Sequence, residues 1–77
     1  MPTRAFILIE TQVGRARQVA LGLRALEGVK DADVITGSFD VIAVVEIADM
    51  AAMADLVTSR IQGIHGVLRT ITCVAAG

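Results

Sequence analysis

Slid against itself by 38 positions, this 77-residue sequence meets itself again. Ala5-Phe6-Ile7-Leu8-Ile9 falls on Ala43-Val44-Val45-Glu46-Ile47, Val19 on Val57, Leu23 on Ile61, Leu26 on Ile64, and Gly28-Val29 on Gly66-Val67. The chain reads as one structural unit written twice, so its fold must be built from two similar halves. Proline occurs only at Pro2, and no Ser- or Gly-rich stretch marks a linker, so residues 1–77 form a single domain.

Each unit opens with an apolar run of about five residues, the length of a strand buried on both faces. Each then turns helical. In the first unit Val13, Ala16, Val19, Ala20, Leu23 and Leu26 recur at spacings of three and four, forming one apolar stripe. Arg15, Arg17, Gln18 and Arg24 fall off that stripe and are expected to face solvent, and Gly28 is expected to close the helix. In the second unit Asp49 fits an N-cap, and Met53, Leu56, Val57, Ile61 and Ile64 form the stripe. Met50 is expected to pack with them, and Gly63 or Gly66 to end the helix. Second strands follow at residues 29–36 and 67–75.

The order βαββαβ predicts an α+β, ferredoxin-like sandwich: a four-stranded antiparallel sheet with two helices on one face. In that layout the first and third strands, Ala5–Ile9 and Val41–Val45, are central. Their side chains are apolar toward both faces, yet the helices cover only one. Apolar residues make up 55% of the chain and seven more residues are glycine, more apolar surface than one small core hides. A second copy of the same sheet is the simplest cover, giving a homodimer of the dimeric α/β-barrel type. Phe6, Leu8, Ile42 and Val44 share the parity assigned to that dimer interface, with Glu46 ion-paired or hydrogen-bonded there. Ala5, Ile7, Ile9, Ala43, Val45 and Ile47 are assigned to the helix side.

Charge and length exclude some roles. Seven basic against eight acidic residues, with no run of one sign, argue against direct nucleic-acid binding. The longest stretches without charge, 61–68 and 70–77, are eight residues each, far short of the roughly 20 needed to cross a bilayer. A single cysteine, Cys73, and a single histidine, His65, make no metal site, and no cofactor is implied. Without a signal-peptide pattern at the start, a cytoplasmic location is expected.

Two segments carry polar groups suited to a ligand. Thr36-Gly37-Ser38-Phe39-Asp40 joins the second and third strands; its amides beside a carboxylate suit a small zwitterion, or Asp40 simply bonds local backbone as in many turns. In Arg69-Thr70-Ile71-Thr72, Thr70 and Thr72 project to one face, where two hydroxyls can bind a carboxylate or pair across strands. Glu10 and Glu46 could suggest paired carboxylates, but Glu46, in a central strand on the interface face, is better read as a hydrogen-bonded or ion-paired interface residue than as part of an acid/base couple.

Taken in order, these elements resemble the C-terminal effector domain of the leucine-responsive regulator/asparagine-regulator (Lrp/AsnC) family of transcription factors. The resemblance covers practically the whole chain. It rests on Thr-Gly-x-Phe-Asp at 36–40, where the family more often has Tyr in place of Phe39, and on Gly-Val-x-Arg-Thr-x-Thr at 66–72. It implies a dimer through the sheets, rings of dimers, commonly octamers or decamers, and a free amino acid bound between dimers. The ligand residues it implies are Gly37, Ser38, Phe39, Asp40, Thr70 and Thr72. Asp40 would take the ammonium, and the loop amides with Thr70 or Thr72 the carboxylate. Phe39 lacks the tyrosine hydroxyl, which favours an apolar amino acid. Since Arg4 to Ile9 is already the first strand, the helix-turn-helix domain of such regulators is expected to be absent.

The function expected is non-enzymatic: an amino-acid-sensing oligomer that modulates transcription indirectly, by co-assembly with a full-length regulator. The rival is a small dimeric α/β-barrel enzyme, a cofactor-free monooxygenase or isomerase, which shares the fold class. Such enzymes use a poised His, Tyr, Trp or carboxylate in a closed cleft, whereas this chain has no Tyr or Trp and one loop histidine. A third reading is an assembly module without ligand.

Overall fold

The computed structural model describes residues 2–76. Its elements are β1 (Thr3–Thr11), α1 (Ala16–Arg24), β2 (Val29–Val34), β3 (Val41–Ile47), α2 (Met50–Asp55), which runs on into a π-helical turn (Leu56–Ile61), and β4 (Val67–Val74). The strands form one antiparallel sheet in the order β2-β3-β1-β4, with β1 and β3 central, the ferredoxin-like arrangement read from the repeat.

The two halves place their strands in equivalent positions, and their matched glycines explain part of the match. Gly28 and Gly66 both adopt positive φ, 94° and 102°, just before the second strand of each unit. At Gly66 a Cβ would stand 3.0 Å from the Arg15 Cβ and 3.2 Å from the Val19 Cγ2, so only glycine lets this turn close onto α1.

Alternation along the central strands divides the sheet as expected. Ala5, Ile7, Ile9, Val41, Ala43 and Val45 are fully buried and pack with Val19, Leu23, Met53 and Ile61 of the helical elements. Phe6, Leu8, Ile42, Val44 and Glu46 lie on the opposite, uncovered face, where they are half-buried.

Several local expectations are corrected. The helix begins at Ala16, after Gly14 at φ 81°, so Val13 stands in a loop and is fully exposed rather than part of the stripe. Gly28 does not close α1, whose C-cap is Ala25. Arg24 is not a purely solvated side chain: its Nε and Nη2 donate to the Ala32 carbonyl at 2.9 and 2.6 Å, tying α1 to the edge strand β2. Met50 is 54% exposed, since the N-cap Asp49, whose Oδ1 accepts from Ala52 N–H at 2.8 Å, sets it on the outer side of the first turn. The strand β2 stops at Val34, not 36, and β4 at Val74.

The second helix also ends differently. Thr58 Oγ1 donates to the Ala54 carbonyl at 2.8 Å, a side-chain bond of the kind that competes with an α-helical backbone, and Ser59 Oγ donates to Asp55 Oδ1 at 3.1 Å. The turn widens, and its last bond runs from Gln62 N–H to Val57 O at 2.9 Å, spanning five residues.

Candidate functional site

Asp40 is held by three hydrogen bonds where the loop enters β3. Its N–H donates to Ile9 O at 3.0 Å, its carbonyl accepts from Ile35 N–H at 2.8 Å, and its Oδ2 accepts from Thr11 N–H at 2.8 Å. The carboxylate thus bonds backbone, though that of β1, 29 residues away, rather than of its own turn. A carboxylate has about four acceptor positions, so this bond orients the group and leaves capacity for a ligand cation. Gly37, at φ 139°, and Ser38 are exposed, and the space where a Gly37 side chain would stand is open.

Phe39 is half-buried beneath an arginine. The Arg69 guanidinium sits 5.3 Å from the Phe39 ring centroid, and its Nε lies 3.5 Å from Glu10 Oε1. Glu10 and Arg69 are register partners between β1 and β4, on the uncovered side of the sheet. At the other end of that face Arg4 is the register partner of Glu46, but its guanidinium lies over the Phe6 ring, 5.0 Å from the centroid.

The two threonines lie on the other side. Thr70 and Thr72 pair with Ile9 and Ile7, so they project with those core residues toward the helices. Thr70 Oγ1 accepts from Gln62 Nε2 at 3.0 Å. Thr72 lines a mostly apolar groove of about 310 Å³ with Met50, Met53, Ala54, Val57, Thr58 and Val74.

One chain therefore brings Thr70 and Thr72 together, and Phe39 of the loop to Arg69 of β4, but the loop meets β4 on the uncovered side of the sheet while the threonines project toward the helices.

Sequence reasoning missed Gln62 and the groove lining of Met50 and Val57. No local pattern marks Gln62, because its placement depends on the π turn. The Glu10–Arg69 pair had a signal, as opposite charges at matching parity on neighbouring strands, but it needed the register. His65 and Cys73 are exposed, and among the described residues no group of three His, Cys, Asp or Glu side chains is set to hold a metal ion. No helix of the described residues is long and apolar enough to cross a membrane.

A family model described as the Lrp/AsnC ligand binding domain matches residues 4–76. Among solved structures, hypothetical protein PHS023 from Pyrococcus horikoshii is 32% identical, with 96% of this chain and 89% of that one covered at a TM-score of 0.90. TTHA0845 from Thermus thermophilus is 31% identical, covering 97% and 94% at 0.92. The fold also matches E. coli AsnC, 21% identical with a TM-score of 0.91, and a transcriptional regulator from Neisseria meningitidis solved in complex with L-Met, 23% identical at 0.86. This chain spans about half the length of those two, 51% and 50%. The comparison with curated proteins found no match.

Proposed function

Since the chain belongs to the Lrp/AsnC ligand-binding domain family, we propose that it is a non-enzymatic amino-acid-sensing module that binds a free amino acid with an apolar side chain. The observation that carries this reading is the groove beside Thr72. Its walls of Met50, Met53, Val57 and Val74 suit an aliphatic or thioether side chain, and its hydroxyls lie where a polar head group begins. Thr70 and Thr72 take the carboxylate, and Asp40 takes the ammonium with the capacity that its bond to Thr11 leaves. The Neisseria regulator's complex with L-Met is compatible with an effector of this class.

Because the loop meets β4 on the uncovered face while the threonines project toward the helices, the complete site draws Gly37, Ser38, Phe39 and Asp40 from one copy and Thr70 and Thr72 from another. The chain dimerises through Phe6, Leu8, Ile42, Val44 and Glu46, and dimers join around the ligand into an octamer or decamer. Ligand and assembly then favour each other by the same factor. Acting on transcription indirectly in the cytoplasm, through co-assembly with a full-length regulator of the family, completes the proposal.

Calorimetric titration with L-methionine, L-leucine, L-asparagine and L-aspartate tests the groove. The apolar pair should bind and the polar pair should not. Met50→Glu, at an exposed position, should abolish binding of the apolar pair while leaving the melting temperature nearly unchanged. Equal binding of both pairs, or unaltered binding by Met50→Glu, contradicts the assignment.

A further inference from the structure

We infer that Gln62 is a positioning residue of the amino-acid site, fixing the Thr70 hydroxyl as a hydrogen-bond donor toward the ligand carboxylate; this rests on the reading of Thr70 given above. The Gln62 Nε2 lies 3.0 Å from Thr70 Oγ1. An amide nitrogen can only donate, so the hydroxyl oxygen accepts, and the threonine proton is directed away from Gln62. Accepting a bond also polarises the hydroxyl and makes it the stronger donor. Thr70 shares its face of β4 with Thr72. The proton is left free for another acceptor, and a carboxylate over that face, which only accepts, is its complement.

The π turn is what brings Gln62 there. Its closing bond, Gln62 N–H to Val57 O, is one residue wider than an α-helical turn. Gln62 is thereby rotated by about 100° from where an unbroken α-helix would set it. Thr58, whose hydroxyl bonds back to the Ala54 carbonyl, supports the widening. Gln62 is exposed and packs in no core, so the bond adds little to folding and its role is separable from stability.

The test reads the direction of this bond. L-methionine and L-leucine are titrated into the parent and into Gln62→Glu, Gln62→Met and Gln62→Lys, with melting temperatures measured in parallel. A glutamate accepts the Thr70 proton and takes it from the ligand, so Gln62→Glu should weaken binding by about tenfold or more, the equivalent of one hydrogen bond to a charged group. Gln62→Met removes the donor and should weaken binding less. Gln62→Lys keeps a donor and should bind within about threefold of the parent. Melting temperatures should stay within a few degrees throughout. Unchanged binding by Gln62→Glu or Gln62→Met, or equal loss in Gln62→Lys and Gln62→Glu, overturns the inference. Thr70→Val separates it from its premise: parental affinity in that variant refutes the reading of Thr70, and with it the role of Gln62. A parent that binds neither amino acid overturns both.

Discussion

Replacing Asp40 by alanine removes the acceptor of the Thr11 N–H, and Thr11 is only 7% exposed. That amide then has little access to water. Leaving such a group unpaired costs about 1–3 kcal/mol. For a domain of this size each kcal/mol lowers the melting temperature by about 4–8 °C, so Asp40→Ala should melt roughly 5–20 °C below the parent without any amino acid present. Asp40→Asn keeps a neutral acceptor of the same shape and gives up only the charge-assisted part of the bond. Its cost should be about 1 kcal/mol or less, a fall of under roughly 8 °C. The same variant has no negative charge for an ammonium, so it should fold well and still fail to respond to amino acids. Differential scanning calorimetry of the three proteins, with and without L-methionine, reads both effects. An Asp40→Ala protein melting within 2 °C or so of the parent would refute the structural half of this reasoning. An Asp40→Asn protein stabilised by ligand as much as the parent would refute the functional half.

Other consequences can be checked with single variants. Val44→Asp sets a charge in the proposed dimer face and should yield a monomer or a poorly folded species; a parental oligomer in multi-angle light scattering would contradict the assignment of that face. Leu23→Ala empties a fully buried position of α1 and should cost about 2–5 kcal/mol in chemical denaturation, with a loss below about 1 kcal/mol counting against the core described. Gly66→Ala forces a Cβ to 3.0 Å from Arg15 at φ 102° and should cost about 1–3 kcal/mol by the same assay, whereas Gly14→Ala, with open space around it, should bear only the cost of its φ.

What the sequence revealed and what it hid follow one physical division. The repeat and the alternation of Ala5, Ile7 and Ile9 against Phe6 and Leu8 were legible because strand period and burial are local properties. Asp49 was legible as a cap for the same reason, since its partner Ala52 is three residues away. Asp40 was legible as a carboxylate in a polar loop, but its bond to Thr11 crosses 29 residues and exists only once β1 and β3 have paired. Arg24 was misread because periodicity shows which face a side chain leaves, not how far a long side chain reaches around it. Gln62 was invisible because the π turn shifts the helical register by one residue, which no propensity pattern announces, and the groove because it forms only where the second helix meets β4. The loop and the threonines looked like one site in sequence order, whereas in one chain the loop meets β4 at Arg69, on the opposite side of the sheet from the threonines.

The measurement that bears most directly on the central claim is thermal unfolding of the parent against all twenty amino acids, each in millimolar excess. Binding to the folded state alone stabilises by about 2.7 kcal/mol at a hundredfold excess over Kd, which is roughly 10–20 °C for a domain of this size. The account predicts that shift for one or a few apolar amino acids and none for the charged ones. A melt that is clearly resolved and unmoved by every amino acid contradicts it.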